Sequence, residues 1–477
     1  MSSTIARAGT DRKARLGLMA LAFTCGVVVL SLPDNAGAET TPVPTFTAVR
    51  TTTTSQPYGS NDPGVSTLAT RGYLQEEWFI SGKASGKPYT TRMLVRRPAD
   101  PTKFSGIVIA ESIRSTAIRT MWSLQDYLVR SGHAYVEIGS NYLGMNRVVK
   151  PSDAVRYASI DIPEIQGGVF GHVMEIIAQG GMLLKTNPSG APLSGLNVRK
   201  VILGGCSEQG LIVRQYMRDG HPIYRMADGK SIFDGYFPAC VADWPEQVIL
   251  VNGKPHANFT PGSIEVPVIN ITGQQEHEAW PESGRKFERA DSDAPGDLYR
   301  VYEVAGMGHG LARSSATCAS GQQPSTFTSQ YVANNALDKL LKWVDQGLVP
   351  PKANRLVTEG SSRSIVKDAN GNAIGGLRSV QVDVPIATYF TGVGLCTYEV
   401  PFSPEKLAHL YDTPDKYVAR VNARIDELVA AGWYLPQDAD SARSDAAQTA
   451  RGWIRTGTFG GGSIPGGTTP PSGSRFR

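Results

Sequence analysis

The chain is short of histidine, of cysteine, of long apolar runs and of uncompensated charge, and each shortage closes a class of function. Seven histidines are spread over 477 residues. His277 and His309 invite the thought of a metal, but no H-x-H or H-x-x-x-H spacing supports one. Neither a metal nor an organic cofactor is expected. A single long apolar run, Leu16 to Leu32, is broken by Thr24 and Gly26 and is short for a membrane span. Arg7, Arg12, Lys13 and Arg15 precede it and Ala36-Gly37-Ala38 follows. That pattern reads as an export signal cleaved after Ala38, with no stable membrane anchor afterwards and a secreted, periplasmic or cell-envelope destination. The whole chain carries 47 basic and 43 acidic side chains. The leader holds four of the basic and two of the acidic ones, which leaves a net charge of +2. With no Lys/Arg tract either, nucleic acid and anionic membranes are excluded as partners.

Beyond the leader, residues 39–70 are rich in Thr, Pro and Ser and are expected to be a flexible lead-in. From 71 to 350 the pattern alternates. Tyr73 to Ile80 and Tyr89 to Arg96 read as an antiparallel pair. Gly106 to Ala110 is a fully apolar run of the kind buried in a parallel sheet. Further strands are expected at 133–139, 201–206, 233–239, 266–272 and 298–305, and helices at 121–131, 170–185 and behind Ser207. Strands and helices alternating at this spacing imply an α/β fold, a mostly parallel sheet with helices on both faces. Residues 332–349 form an amphipathic helix stopped by Gly347 and Pro350-Pro351. Residues 351–450 read as a C-terminal accessory lobe and 451–477 as a disordered Gly/Pro/Ser-rich tail. Within the lobe, Asp368-x-Asn370-x-Asn372 lacks the glycine and glutamate of a calcium loop and reads as a hairpin turn.

Chemistry enters at Val201 to Met217. A β-branched strand runs into Gly204-Gly205-Cys206-Ser207, and an amphipathic helix follows at once. In such a strand–turn–helix a serine is held out from the sheet edge, facing a helix N-terminus that favours developing negative charge. Gly205 stands two before Ser207, but Gln209 stands two after it and the glycine is delayed to Gly210. The motif is therefore G-x-S-x-x-G. Cys206 is the alternative nucleophile, though a glycine frame centred on it would put Glu208 where a small residue belongs.

Partners for Ser207 follow in order. Val266 to Thr272 ends in Gly273-Gln274-Gln275-Glu276-His277-Glu278. Glu276 is the expected acid and Glu278 the reserve. His309 lies after the last strand, in a loop bracketed by Gly308 and Gly310, and is the expected general base. The backbone N–H groups of Glu208 and of Ser112, in the loop after the Gly106–Ala110 strand, are the expected oxyanion donors. Arg114 could add a charged donor, bind a substrate carboxylate or make a surface ion pair. Trp280 and Met307 could line a pocket or belong to the core. Four cysteines remain after the leader: Cys206, Cys240, Cys318 and Cys396. They allow three pairings, with free buried thiols as a further alternative. Cys206 and Cys240 stand near the ends of adjacent strands, which favours joining them and, with them, Cys318 to Cys396.

Several pieces resemble a group of bacterial α/β-hydrolase-domain proteins, secreted and serine esterase-like. They are Tyr73-Leu-Gln-Glu-Glu-Trp-Phe-Ile-Ser-Gly82, Thr91-Arg-Met-Leu-Val-Arg-Arg-Pro98, Arg156-Tyr-Ala-Ser159, Gly205-Cys-Ser-Glu-Gln-Gly210 and Asp368-Ala-Asn-Gly-Asn-Ala-Ile-Gly-Gly-Leu-Arg378. The similarity runs from about 73 to 440. It implies the α/β-hydrolase fold and a triad carried over as Ser207, Glu276 and His309. The group has Gln then Ser after the nucleophile and an acidic pair ending in Asp, where this chain has Glu208-Gln209 and Gln274-x-Glu276. The Gly-Cys-Ser triplet is also similar to glucuronoyl esterases, which follow it with arginine where this chain has Glu208. The function expected is hydrolysis of a carboxylic ester, small or polymer-linked, through an acyl-enzyme. An amidase or peptidase using the same triad, or a secreted binding protein that has lost catalysis, are the alternatives.

Overall fold

Short β-branched and apolar runs, buried on both faces, make the middle of this protein. The computed structural model describes residues 39–163, 171–241, 250–251, 254–255, 264–278, 289–312, 318–361, 363–391 and 396–456. The leader, Trp280 and the tail from 457 lie outside the described residues. Ten strands form one sheet: β1 (Thr45–Ala48), β2 (Tyr73–Ala84), β3 (Lys87–Pro98), β4 (Ile107–Ser112), β5 (Ala134–Ile138), β6 (Lys200–Cys206), β7 (Gly235–Ala239), β8 (Val268–Gly273), β9 (Ser292–Ala294) and β10 (Asp297–Val304). Their spatial order is β9-β10-β8-β7-β6-β4-β5-β3-β2-β1. The six from β10 to β5 run parallel. Antiparallel strands close both edges. The fold is α/β, mixed but mostly parallel.

Alternation along each central strand splits the core in two. Ile109, Ile202 and Ile271 face one cluster, while Val108, Val201 and Leu203 face the other. Two helices cover the second face, α2 (Gly171–Thr186) and α3 (Glu208–Gln215), through residues such as Ile176, Leu183, Ile212 and Val213. The first face takes α1 (Gln125–Arg130) and α5 (Ser329–Gln346). α1 is shorter than the sequence suggested, because Met121–Leu124 forms a tighter 3-10 turn ahead of it. A short helix, α4 (Gln274–Glu278), follows β8 directly. The C-terminal helices α6 (Pro404–Tyr411), α7 (Pro414–Ala430) and α8 (Pro436–Thr456) share the first core, with Trp433 edge-on to Tyr302 of β10 at 5.5 Å. The described residues form one compact unit. Helix α8 continues to Thr456, beyond the point at 450 where the sequence placed the start of the tail.

The segment 39–70 departs from its expected flexibility. Thr45–Ala48 pairs with β2 as the edge strand. Further on, Asp62 accepts from Arg96 Nη2 at 2.6 Å and Arg119 Nη2 at 2.8 Å. A Thr/Pro-rich composition hides both effects, since they depend on a sheet edge and on arginines distant in sequence. Asp368 Oδ1 accepts the N–H groups of Asn370 and Asn372 at 2.9 and 3.0 Å, so that carboxylate builds a turn.

Candidate active site

Ser207 sits between the end of β6 and the start of α3 with φ 63° and ψ −128°, left-handed backbone that a non-glycine residue holds only under constraint. The constraint is visible. Ser207 N donates to Ala239 O at 3.0 Å, and Leu211 N donates to Ser207 O at 2.9 Å. A Cβ on Gly205 would lie 2.6 Å from Gln209 Cβ, and one on Gly210 would lie 2.4 Å from Ala239 O. Those two approaches explain the delayed glycine. The helix's close contact with β7 falls at 210, so position 209 has room for a side chain. Gln209 is buried and uses that room, donating to Ile118 O at 2.9 Å.

His309 follows β10, with its side chain 12% exposed. Its Nε2 is 2.7 Å from Ser207 Oγ and its Nδ1 is 2.6 Å from Glu276 Oε1. Glu276 lies on α4, with its side chain 1% exposed, and its second oxygen accepts Gly273 N at 2.6 Å. Glu278, the reserve acid, turns elsewhere. It accepts from Gln274 Nε2 at 3.1 Å and from Thr391 Oγ1, and pairs with Lys367 Nζ at 3.4 Å. Sequence reasoning passed over the two glutamines beside the acid. Gln275 Oε1 accepts His309 N at 2.6 Å, and Gln274 Oε1 accepts Gly306 N at 2.9 Å, so both ends of the histidine loop are tied to α4. The only available signal was a pair of amides at a strand end. Met307 is fully buried in the core.

Cys206 is bonded to Cys240 and Cys318 to Cys396. Bonded in this way, Cys206 has no thiol to act as nucleophile. Thr397, next to Cys396, leaves no room for a side chain at Gly308: a Cβ there would lie 2.3 Å from Thr397 Cγ2. Beneath the elbow, the fully buried Glu111 accepts Thr120 N at 2.7 Å, Met121 N at 3.0 Å and Tyr135 OH at 2.7 Å. Burial pushes its carboxyl up to about 7. Thr120 Oγ1 connects this acid to the elbow, 2.5 Å from Glu111 Oε1 and accepting Cys206 N at 3.0 Å.

The two residues expected as oxyanion donors have side-chain partners that the sequence did not suggest. Ser112 ends β4, and its hydroxyl is taken by Ser140 Oγ at 2.6 Å, so only its backbone could serve. Glu208 begins α3. Its carboxylate accepts Ser115 N at 2.9 Å, Ser115 Oγ at 2.6 Å and Asn141 Nδ2 at 3.1 Å, with Arg114 Nε 3.7 Å away. Among the described residues no group of three or more His, Cys, Asp or Glu side chains is arranged to hold a metal ion. No described helix is long and apolar enough to cross a membrane.

A parallel sheet with a serine elbow at its centre is the architecture of the α/β hydrolases. The family described as alpha/beta hydrolase domain matches residues 40–444, and the chain belongs to it. Similar solved structures include a promiscuous CE15 esterase from a marine bacterial metagenome, 12% identical, with a TM-score of 0.31 over 58% of this chain and 84% of that one. A thermostable esterase from Pseudomonas putida is 11% identical, with a TM-score of 0.29 over 52% and 80%. A putative dienelactone hydrolase from Klebsiella pneumoniae is 12% identical, with a TM-score of 0.30 over 57% and 99%. No curated protein matches the chain.

Proposed function

We propose that this protein is an exported serine hydrolase that cleaves carboxylic esters through an acyl-enzyme. One observation carries the reading: the unbroken chain of contacts from Glu276 through His309 to a serine held at positive φ. With Glu276 accepting from Nδ1, the imidazole presents Nε2 as the base. Ser207 Oγ attacks the ester carbonyl carbon while its proton passes to Nε2. The tetrahedral oxyanion is met by the N–H of Glu208, at the positive end of α3, and by a second amide from the loop after β4. As the carbonyl re-forms, the bond to the alcohol oxygen breaks and Nε2–H protonates it. Water then repeats the sequence on the acyl-enzyme, releasing the carboxylic acid and restoring Ser207.

Export is supported by the leader's composition and by two disulfides, which persist in oxidising compartments. The decisive experiment compares wild type with Ser207→Ala on p-nitrophenyl acetate. A loss on the order of 10⁵-fold or more is expected, together with loss of fluorophosphonate labelling. Hydrolysis that survives the substitution sinks the assignment.

A further inference from the structure

We propose that the Glu208 side chain is a positioning residue that fixes the second oxyanion donor, and that this donor is the backbone N–H of Arg114 rather than that of Ser112. The inference rests on the ester-hydrolase reading. The residue directly after the nucleophile is expected to contribute only its backbone. Here its carboxylate gathers loops from two neighbouring strand ends. From the loop after β4 it accepts the N–H and hydroxyl of Ser115, and from the loop after β5 it accepts Asn141 Nδ2. The side-chain oxygen of Asn141 is occupied as well, with Oδ1 accepting Leu143 N at 2.9 Å and Gly144 N at 3.2 Å. Gly144 in turn lies under the Arg114 carbonyl, where an added Cβ would come within 2.2 Å of that oxygen.

Three consecutive amides of the β4 loop then divide by role. Ile113 N is committed to Ile138 O at 2.9 Å and Ser115 N to Glu208. Arg114 N, between them, makes no hydrogen bond among the described residues. A donor with fixed neighbours on both sides and no acceptor of its own is what a preorganised oxyanion site requires. Anchoring the loop to residue 208 also ties that donor to the residue next to the nucleophile, so the two donors keep a constant separation. Charge strengthens the latch, since hydrogen bonds to a carboxylate are about twice as strong as neutral ones.

The test uses the full-length mature protein with Glu208→Ala and Glu208→Gln, alongside Ser207→Ala. Hydrogen exchange followed by mass spectrometry needs no turnover. Faster exchange in Glu208→Ala, confined to 113–115 and 141–144, is expected, and unchanged exchange there overturns the latch. In kinetics, Glu208→Ala should lower kcat for p-nitrophenyl acetate by about 10²-fold, the scale of losing one oxyanion donor, with KM within about threefold. Glu208→Gln, which keeps an acceptor for Ser115 N, should recover at least tenfold of that. Rates are taken per serine titrated with fluorophosphonate, so a loss of folded protein alone leaves kcat unchanged and overturns the catalytic role. An inactive wild type would overturn the hydrolase reading while leaving the exchange result to decide the latch.

Discussion

The sheet carries two buried polar assemblies, and they differ in how their charges are arranged: one is a network of ion pairs, the other a chain that ends on the proposed nucleophile. On the half built from β2, β3 and β5, Arg92 is enclosed between Glu77 and Glu137, all three side chains fully buried. Arg156 pairs with Glu77 at 2.6 Å and Arg119 with Glu137 at 3.0 Å. Arg119 and Arg96 extend the network to Asp62 and so clamp the 49–63 strap to the sheet. Burial works against the charge on Arg92, but Glu137 and then Glu77 overcome it and raise its pKa. Each charge there faces another charge, so the network is closed. At the carboxyl ends of β6, β8 and β10 the polar chain is linear. It starts at a buried carboxylate and ends at one hydroxyl on the elbow. In a closed network the loss of one partner strands a buried charge, whereas the linear chain ends on a hydroxyl that, in the function proposed, gives its proton to His309.

A change in either assembly should leave untouched the property that depends on the other. The largest effect expected is on the linear chain. Glu276→Gln should lower kcat by roughly 10⁴-fold through loss of tautomer control and of imidazolium stabilisation, with a thermal midpoint close to wild type by calorimetry. Glu137→Ala should do the reverse. Removing one partner from a buried ion network costs about 3–5 kcal/mol, read by urea denaturation, while kcat per titrated serine is retained. Cutting the Cys206–Cys240 bond, whose cysteines are 34 residues apart, with Cys206→Ala/Cys240→Ala should cost roughly 2–4 kcal/mol. Because Cys206 adjoins Ser207, this variant should lower kcat as well as stability.

The most gradual effect is a pH slope from Glu111. Its folded-state pKa is raised from 4.5 to about 7 by burial. The folded protein therefore holds a proton that the unfolded chain releases near its ordinary carboxylate pKa. The stability from this group is complete below that value and is lost as pH rises to about 7, with a slope of at most about 1.4 kcal/mol per pH unit. Urea midpoints between pH 4.5 and 7.5 should show the decline in wild type and a shallower one in Glu111→Gln. Equal slopes in the two proteins would remove Glu111 from the account.

Much of the scaffold was legible because its signals are local. Val201-Ile-Leu followed by Gly-Gly-Cys-Ser and an amphipathic run announces strand, elbow and helix from adjacent residues alone. The reading of Cys206 with Cys240 needed only that two strands be neighbours. The lead-in 39–70 was illegible for the opposite reason: its order comes from the β2 edge and from Arg96, Arg119 and Arg156, all remote in sequence. Glu208 read as a helix-starting residue whose backbone mattered, since nothing nearby in sequence marks Ser115 or Asn141 as its partners.

The amino-acid sequence by itself determined the α/β class and the order of a serine at an elbow, two glutamates after a later strand and a histidine after the last one, because hydrophobic period and turn chemistry act over a few residues. Tertiary structure alone decided which glutamate meets the histidine. On α4 successive residues turn by about 100°, so Glu276 and Glu278 point about 200° apart. Only the docking of that helix against the loop after β10 brings the first to His309 and sends the second to Lys367 and Thr391.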